Sequence, residues 1–413
     1  DLPAVDFSQT GLAQSNVVLR GFNNIFSGAL LTLTDNRIAR VPSLRLNAYN
    51  FIPVTNEDIE RIEVVLGPGS ALYGPNSASG VMHIITHSPF NSQGTSVNLG
   101  LGERDVRKIG LRHAGQVGEK LGYKVSAQYY AGTDWEYNDP AEEVSRAQNP
   151  SLRARDFDLE RKSTEVRLDY RATEDLTAIF AAGYNVADNI DLTGLGAGQA
   201  RGWTSGYYQA RLLWGDWFAQ VFQNWTDAGD TFLLRDGGPI VDHSKLSAFQ
   251  IQHSAQLGIR QSFTYGADLL LTRPDTEGTV NGGNENDDQI NEYGAYLQSE
   301  TALSDMLDLV VALRYDDHNR IADGEVSPRA GLVFKPSETQ TLRLTYNRAF
   351  STPSSLNLYL DLRSAPDAFG IGSGFEPSLG FAPAIDVRAQ GTYRQGFAGG
   401  WTFARSADGR PQY

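Results

Sequence analysis

Residues 59–87, IERIEVVLGPGSALYGPNSASGVMHIITH, decide the fold of this chain. At the start of this stretch, Ile62 and Val64 alternate with Arg61 and Glu63. Side chains of a β-strand point to opposite faces with a period of two, so this pattern predicts a half-buried strand with one charged face.

The glycine-rich segment that follows this strand predicts a tight turn. Gly67 to Gly69 form the turn, Ser70 is expected to cap one helical turn, and Gly74 ends it. The run VMHIIT then predicts a buried strand. A dinucleotide-binding loop is not indicated, because Leu72 stands where its third glycine belongs, and a phosphate-binding P-loop lacks its Lys-Ser/Thr pair.

This strand, loop and strand closely resemble the plug-domain signature of TonB-dependent outer-membrane receptors, which runs IERIEVLRGP, SALYG and GGVINIIT. NVVLRGF (16–22) and LLTLTDNRIA (30–39) resemble further plug segments, and the second predicts a hairpin that turns at Asp35-Asn36. The resemblance implies a plug domain over residues 1–90, incomplete at its N-terminus. It also implies a transmembrane barrel over residues 91–413, incomplete at its C-terminus.

One departure from the family pattern concerns how the plug is held. The family commonly has Arg before Gly-Pro, whereas this chain has Leu66. Arg61 and Glu63 remain as candidates for ion pairs between plug and barrel wall. The alternative is a charge pair within the plug's own sheet, since opposite charges commonly stabilise sheets.

Composition excludes several classes of protein. The 413 residues carry a net charge of −14 and no cysteine, and the pI is near 4.9. The acidic balance disfavours nucleic acid as a partner, and the absence of thiols removes disulfides and thiolate metal sites. No run of 18 apolar residues is present, so any membrane crossing requires a barrel, whose alternating strands are consistent with a mean hydropathy of −0.35.

Beyond residue 90, strands with alternating apolar and polar residues recur. In TEVRLDY (164–170), Val166 and Leu168 alternate with Arg167 and Asp169. This pattern is typical of a transmembrane barrel with an apolar outer face and a polar lumen. About thirteen strands are expected: 95–102, 106–114, 123–131, 164–170, 177–186, 207–213, 217–225, 248–258, 262–271, 293–303, 307–315, 327–334 and 341–347.

The fold class expected is therefore mainly β, with an N-terminal α+β plug inside a large antiparallel transmembrane barrel. Plugged transporters have about 22 strands, so thirteen indicate part of a wall. Val125, Tyr129, Leu342 and Leu344 are expected to face lipid, and Arg343 to face the lumen.

Loops and aromatic residues support the barrel interpretation. Long polar loops are expected at 132–161, 188–202, 227–245 and 273–289, alternating with short turns. Aromatic girdles are expected near strand ends, among them Trp203, Tyr207, Tyr208, Trp214 and Trp217. The alternative is a soluble β-sandwich or propeller, which does not require polar residues at every second position of so many long strands.

Candidate sites for chemistry are few. His83 and His87 are separated by roughly 13 Å of strand, too far to share a metal. The loop NGGNENDD (281–288) lacks the spacing of a dedicated calcium loop, so a solvated acidic loop is favoured. Glu60 and Glu63 point to opposite faces, which gives a glycosidase pair little support. No catalytic residue, metal ligand or cofactor is predicted, and the chain is not expected to be an enzyme.

The resemblance implies a transporter of the bacterial outer membrane that takes up a scarce extracellular ligand by energised rearrangement of the plug. Its partners would be outer-membrane lipid, the ligand and the TonB protein, contacted through a segment before residue 1. The alternative is a barrel that acts as a scaffold or adhesin in a surface complex. Siderophore, cobalamin, glycan and peptide receptors share this architecture, so the identity of the ligand stays open.

Ligand contacts are expected at the plug apex, within 23–26 and 43–51, although loop packing against the wall is an equal alternative. The candidate residues are Asn23, Asn24, Phe26, Arg45, Asn47 and Tyr49.

Overall fold

The structure of the chain is a computed structural model. It describes residues 4–20, 30–44, 47–193, 196–365, 370–381, 383 and 387–392. No helix within this part of the chain is long and apolar enough to cross a membrane.

The N-terminal unit, called the plug below, is built on a four-stranded mixed sheet with strand order β4-β3-β6-β5 and a separate two-stranded ribbon, β1-β2. Two short 3-10 helices, at Tyr49–Phe51 and Asn56–Asp58, precede β5. The elements are β1 Val5–Gln9, β2 Ser15–Leu19, β3 Leu30–Thr34, β4 Arg37–Ile38, β5 Ile59–Leu66, α1 Ser70–Tyr73 and β6 Gly80–Thr86.

The hairpin between β3 and β4 confirms the turn predicted at Asp35-Asn36. Asp35 has φ 47° and Asn36 has φ 69°, and a two-residue hairpin turn of this hand needs positive φ at both positions. Asn and Asp tolerate this region better than other residues with a side chain. The tight turn places the Asp35 carboxylate beside β6, where it accepts hydrogen bonds from Thr86.

The glycine-rich loop differs from the prediction at one position. Gly69, not Ser70, is the N-cap of α1, and the Ser70 hydroxyl lies 3.3 Å from that of Ser77 instead. Gly74 ends the helix as predicted, with φ 79°. The loop is therefore closed by contacts between its two turns.

Strand β5 is more exposed than the period-two pattern predicts. It is the edge strand of the plug sheet, and Ile62 and Leu66 are 50% and 40% exposed. The expectation of a half-buried strand is wrong for the described structure, because the described part of the wall does not cover this edge. The opposite edge of the sheet, by contrast, packs into the wall.

The large sheet, called the wall below, joins thirteen consecutive antiparallel strands, with the short β14 paired to β12. Its strands are β7 Gly94–Leu101, β8 Arg107–Val117, β9 Leu121–Thr133, β10 Asp158–Arg171, β11 Leu176–Thr193, β12 Gly196–Trp214, β13 Trp217–Asp227, β14 Phe232–Leu233, β15 Lys245–Leu257, β16 Gln261–Arg273, β17 Ile290–Ser304, β18 Leu307–His318, β19 Glu325–Ser337 and β20 Gln340–Asn347. Each of the thirteen predicted strands is present.

The two ends of the wall differ in the length of the connections between strands. Turns such as 118–120, 172–175 and 215–216 lie at one end, whereas 134–157 and 274–289 lie at the other. The loop expected at 188–202 is instead mostly strand, because β11 and β12 continue pairing as far as Thr193 and Gly196. This extended hairpin lengthens the wall at the end with the long loops.

Several smaller elements cover this end. Helix α2, Pro140–Gln148, is capped by Asp139, whose carboxylate accepts from the amide of Ala141. Leu358 and Tyr359 of the segment after β20 pack on Ile290. That segment contains α3 Ser355–Tyr359, β21 Asp361–Ala365, α4 Ile371–Leu379 and β22 Val387–Gln390.

The two faces of the wall differ in polarity. On β10, Val166 and Leu168 are exposed on the outer face, and Arg167 and Asp169 are buried against the plug, which confirms the predicted orientation. Val125, Leu342 and Leu344 are likewise exposed. Arg343 is exposed on the terminal strand β20.

This alternation predicts which side chains meet hydrocarbon when the receptor produced from its full gene is reconstituted in bilayers. A nitroxide at Leu168 is expected to collide with oxygen more often than one at Arg167, because an arginine facing the midplane costs about 2 to 4 kcal/mol. Power-saturation electron paramagnetic resonance measures both sites. The reverse ranking would contradict the orientation of β10.

Candidate functional site

The plug is fixed to the wall by ion pairs of one polarity, with the carboxylate on the plug. Asp58 is fully buried, and its oxygens lie 2.8 Å from Nε of Arg112 on β8 and 2.5 Å from Nζ of Lys124 on β9. Lys124 also donates to the hydroxyl of Thr86 at 2.7 Å and to the carbonyl of His87 at 2.8 Å. The Asp58 carboxylate thus joins the plug to two wall strands, and the Lys124 ammonium group contacts three plug residues.

A second plug carboxylate, Asp35, lies in the same network. It accepts from the amide and hydroxyl of Thr86 at 3.1 and 2.6 Å, and Arg167 lies 3.5 Å away. Burial alone would raise the pKa of Asp35, but the positive charges of Arg211, Arg167 and Lys124 outweigh it and hold the pKa below its usual value. Asp35 therefore stays ionised inside the assembly.

Arg37 is a plug cation that the sequence-based reasoning did not assign to the interface. Its guanidinium lies 3.6 Å from the ring centroid of Tyr207 and donates to Asn224 at 3.0 Å. A cation over an aromatic face in a dry site contributes about 2 kcal/mol. The resemblance of LLTLTDNRIA to a plug segment could have pointed to this arginine, which directly follows the Asp35-Asn36 turn.

Arg61 and Glu63, the predicted plug-to-wall residues, pair with each other at 2.7 Å, and Arg61 also contacts Glu60 at 2.8 Å. Both side chains are half-exposed. This arrangement corresponds to the alternative interpretation, a charge pair within the plug. Their contact with the wall stays a prediction, since the described part of the wall does not cover β5.

Arg314 of the wall explains why the plug signature has a glycine at position 74. Its side chain is 1% exposed, donates to both oxygens of Asp268 at 2.7 and 2.8 Å, and pairs with Asp316 at 2.7 Å. A Cβ atom on Gly74 would lie 3.0 Å from this guanidinium, and one on Gly294 would lie 1.8 Å from it. Glycine therefore lets the helical turn α1 approach the wall.

A cavity of about 600 Å³ lies between the plug and the end of the wall that carries the long loops. Its floor comes from the plug, and its sides come from β11, β12, the connecting loops and the segment after β20. The described lining residues include Val41, Leu44, Asn47, Asn50, Phe51, Asp191, Trp203, Ile240, Leu356 and Asn357. Among the lining residues that the structure describes, the one charged side chain is Asp191.

The aromatic part of the cavity joins plug and wall. Phe51 of the plug stacks on Trp203 of β12, with ring centroids 4.9 Å apart and planes at 17°. Trp203 and Tyr207 were expected in an aromatic girdle, and that expectation is wrong, since both are buried on the inner face. The alternation along β12 could have predicted this, because the odd-numbered positions continue to Gln209 and Arg211, which face the lumen.

The polar part of the cavity is a cluster of amide groups. Asn50 donates to the Asn189 side chain at 3.2 Å and to the Asp191 carboxylate at 3.4 Å. Asn189 also donates to Asp191 at 2.8 Å, and Asn185 donates to the Asn50 carbonyl at 3.2 Å. The Asp191 carboxylate is thereby held by two amides.

The predicted ligand-contact residues fall into three groups. Asn47 lines the cavity, and its amide also donates to the Leu30 carbonyl at 2.9 Å. Tyr49 does not line the cavity; it packs against two clusters of buried plug side chains, where burial raises its pKa to about 12. The others, Asn23, Asn24, Phe26 and Arg45, lie outside the described residues.

The acidic loop at 281–288 is organised by internal hydrogen bonds. Glu285 accepts from the amide and hydroxyl of Thr276 at 2.9 and 2.6 Å and from the amide of Gly278 at 3.1 Å. Asp288 accepts from Asn281 at 2.7 Å. Across the described ranges, no group of three or more His, Cys, Asp or Glu residues is placed to hold a metal ion.

Two family models match the chain along its length. The model described as "TonB-dependent Receptor Plug Domain" matches residues 1–81, and "TonB dependent receptor-like, beta-barrel" matches residues 112–383. The chain belongs to the TonB-dependent receptor family. This family consists of receptors and transporters of the Gram-negative outer membrane, not enzymes.

The curated relatives of this TonB-dependent receptor include vitamin B12 transporters named BtuB. The protein from Vibrio vulnificus is 25% identical over 381 residues, which cover 89% of this chain and 58% of the relative. The protein from Vibrio cholerae is 37% identical over 95 residues, 23% of this chain and 15% of the relative. The chain thus spans a little over half the length of the first of these.

Solved structures show the same fold at low identity. A variant of the ferric enterobactin receptor from Pseudomonas aeruginosa superposes with a TM-score of 0.62 at 19% identity, covering 87% of this chain and 60% of that one. The FrpB iron transporter from Neisseria meningitidis gives 0.67 at 14% identity, covering 86% and 61%. The comparison supports a plug packed inside a barrel wall, of which the thirteen strands here are a part.

Removing the carboxylate of Asp58 tests how the plug is held. Asp58→Asn leaves Arg112 and Lys124 buried without their partner, which costs about 3 to 5 kcal/mol when the site is dry. The free energy of plug unfolding, measured by denaturant titration of the full-length receptor, should fall by this amount. Glu60→Gln is the control, because Glu60 is an exposed acid of the same sheet and its change should stay within about 0.5 kcal/mol. Equal effects of the two variants would contradict the anchoring role.

Asp35 predicts acid sensitivity of the plug. Its folded-state pKa lies below the usual value of 3.8, so its stabilisation is complete above pH ~4 and is lost as the pH falls through the folded-state pKa. Protease susceptibility of the plug should therefore rise at low pH. Asp35→Asn should lower stability at pH 7 and flatten this pH dependence; an unchanged acid response would show that other carboxylates control it.

Proposed function

We propose that the chain is the plug and part of the wall of an outer-membrane transporter that imports a large, uncharged, amide-bearing ligand of the vitamin B12 type. One observation carries the proposal: the plug and the outer loops together form the 600 Å³ cavity. Its size is within the 300 to 1,000 Å³ typical of ligand pockets. A ligand in this cavity touches both the plug, which would move during transport, and the wall, which would stay in place.

The chemistry of the lining supports this class of ligand. Leu44, Phe51, Trp203 and Ile240 offer an apolar side, and the amide cluster around Asn50 offers donors and acceptors. A polyanionic iron chelate would gain from arginine and lysine, and the described lining residues include neither. A curated relative whose match covers 89% of this chain is named a vitamin B12 transporter, which supports the same class.

Transport requires energy because the plug is held by buried ion pairs. Arg112 and Lys124 on the wall neutralise Asp58 on the plug, and separating such pairs in a dry site costs several kcal/mol each. Force supplied by the TonB protein, through a segment outside the described residues, would provide this energy. The function involves no covalent chemistry and no cofactor. The exposed apolar outer face would contact the lipid of the outer membrane.

The second hypothesis, a barrel that serves as scaffold or adhesin, gives no role to a lined cavity at the plug apex. It predicts that small molecules do not bind there. Binding of a small ligand at micromolar concentration or below therefore separates the two hypotheses.

The test is a binding titration of the full-length receptor with cyanocobalamin, using ferric enterobactin as the competing class. Leu356→Asp should raise the Kd for cyanocobalamin about tenfold or more, because it replaces an apolar contact worth about 1.5 to 3 kcal/mol, and 1.4 kcal/mol is tenfold in affinity. Val144→Asp is the matched control, since Val144 lies on α2 and is 57% exposed. Binding of ferric enterobactin in preference to cyanocobalamin would overturn the proposed ligand class.

A further inference from the structure

A second cavity lies deeper, between the plug sheet and the wall. It measures about 160 Å³ and is lined by Leu31, Leu33 and Ile38 of the plug together with residues of β13 and β15 to β17. Asn76, in the turn after α1, lines both this cavity and the outer one. The two spaces therefore meet at one plug residue.

Hydrogen bonds join the plug to the wall at the point where the two cavities meet. Asn76 donates through its side chain to the hydroxyl of Thr352 at 3.2 Å, and accepts from the Thr352 amide at 3.2 Å. The Asn76 amide donates to the Phe350 carbonyl at 3.0 Å. Thr352 in turn donates to the carboxylate of Glu292 on β17 at 2.7 Å. We call Asn76, Thr352 and Glu292 the Asn76 gate.

The gate is buried and locally fixed. Its three residues are each less than 9% exposed. Asn76 has φ 67°, in the left-handed region that Asn tolerates better than other residues with a side chain. This conformation presents its amide to the segment that follows β20, so the plug touches an outer loop here through hydrogen bonds instead of ion pairs.

The side of the plug that carries the gate differs from the opposite side. Toward β8 to β10, the contacts are the buried ion pairs of Asp58 and Asp35. Toward β13 to β16, an apolar cluster joins Leu31 and Val81 to wall residues such as Phe222 and Leu246. The hydrogen bonds on this side include those of Asn224 on β13, a neutral amide that accepts from Arg37 and donates to the Ile38 carbonyl. Apolar contact is non-directional, so surfaces on this side can slide, whereas separating the ion pairs exposes unpaired charges.

We propose that the Asn76 gate is the point at which the imported ligand leaves the outer cavity, and that its path runs between the plug sheet and strands β13 to β17. The proposal rests on the proposed function for the direction of transport. The gate opens when Asn76 separates from Thr352, which joins the two cavities into one passage. The charged side of the plug stays in contact with the wall while the passage widens.

A cysteine pair at the gate tests the route. Asn76→Cys with Thr352→Cys should form a disulfide in the full-length receptor in cells. When oxidised, this variant should still bind radiolabelled cyanocobalamin, but its energised uptake should fall at least tenfold and return on reduction. Glu57→Cys with Gly110→Cys is the matched control, because a Cβ atom on Gly110 of β8 would lie 2.6 Å from Cγ of Glu57, on the charged side of the plug that stays in contact with the wall.

The control pair should change uptake less than twofold between the oxidised and reduced states. Full uptake by the oxidised gate variant, or equal block by both pairs, would overturn the route. Absence of cyanocobalamin binding in the unmodified receptor would instead sink the proposed ligand.

A readout that needs no ligand tests the gate separately. Thr352→Val keeps the shape of the side chain but removes the hydroxyl that joins Asn76 to Glu292. In planar bilayers with potassium chloride, this variant should conduct at least threefold more than the unmodified receptor. Thr345→Val, on the exposed strand β20, is the control and should not change the conductance. Equal conductance of the Thr352 variant and the unmodified receptor would show that these contacts do not close the passage.

Discussion

Buried carboxylates on the plug, neutralised by cations of the wall, are the constraint on which the rest of the structure depends. Asp58 reaches Arg112 and Lys124 on two neighbouring strands, and Asp35 reaches Arg167 on the next one. A buried charge without a partner costs several kcal/mol, so the plug is stable in the one orientation that satisfies both acids. That orientation fixes which plug loops form the floor of the outer cavity and which side faces β13 to β17.

These ion pairs also divide the plug surface into two sides, which differ in the free energy needed to separate them from the wall. The charged side resists separation, and the apolar side packs through contacts such as Leu33 with the wall cluster. The outer cavity spans the plug and the loops, with Phe51 of one stacked on Trp203 of the other. Displacement of the plug would therefore change the shape of the cavity, because both bodies line it.

Relatives with the same fold carry different ligands in their names, which shows that plug and wall do not choose the ligand. The residues that line the cavity come from segments far apart in the chain. Asn50 and Asp191 are 141 positions apart, yet their side chains meet at 3.4 Å. Within the residues that the structure describes, the lining combines this amide cluster with apolar side chains.

The sequence by itself determined the local structure: the thirteen wall strands, the hairpin at Asp35-Asn36 and the glycine stop at Gly74 follow from period-two alternation and turn chemistry. Tertiary structure decided the partners of Asp35 and Asp58, the burial of Tyr49 in the plug core and the inward position of Trp203. It also replaced a predicted loop by the long β11-β12 hairpin. The physical reason is that alternation separates two faces of a strand but does not say what lies opposite either face. Those neighbours are set by packing between segments that are distant in the chain, such as those of Asp58 and Arg112.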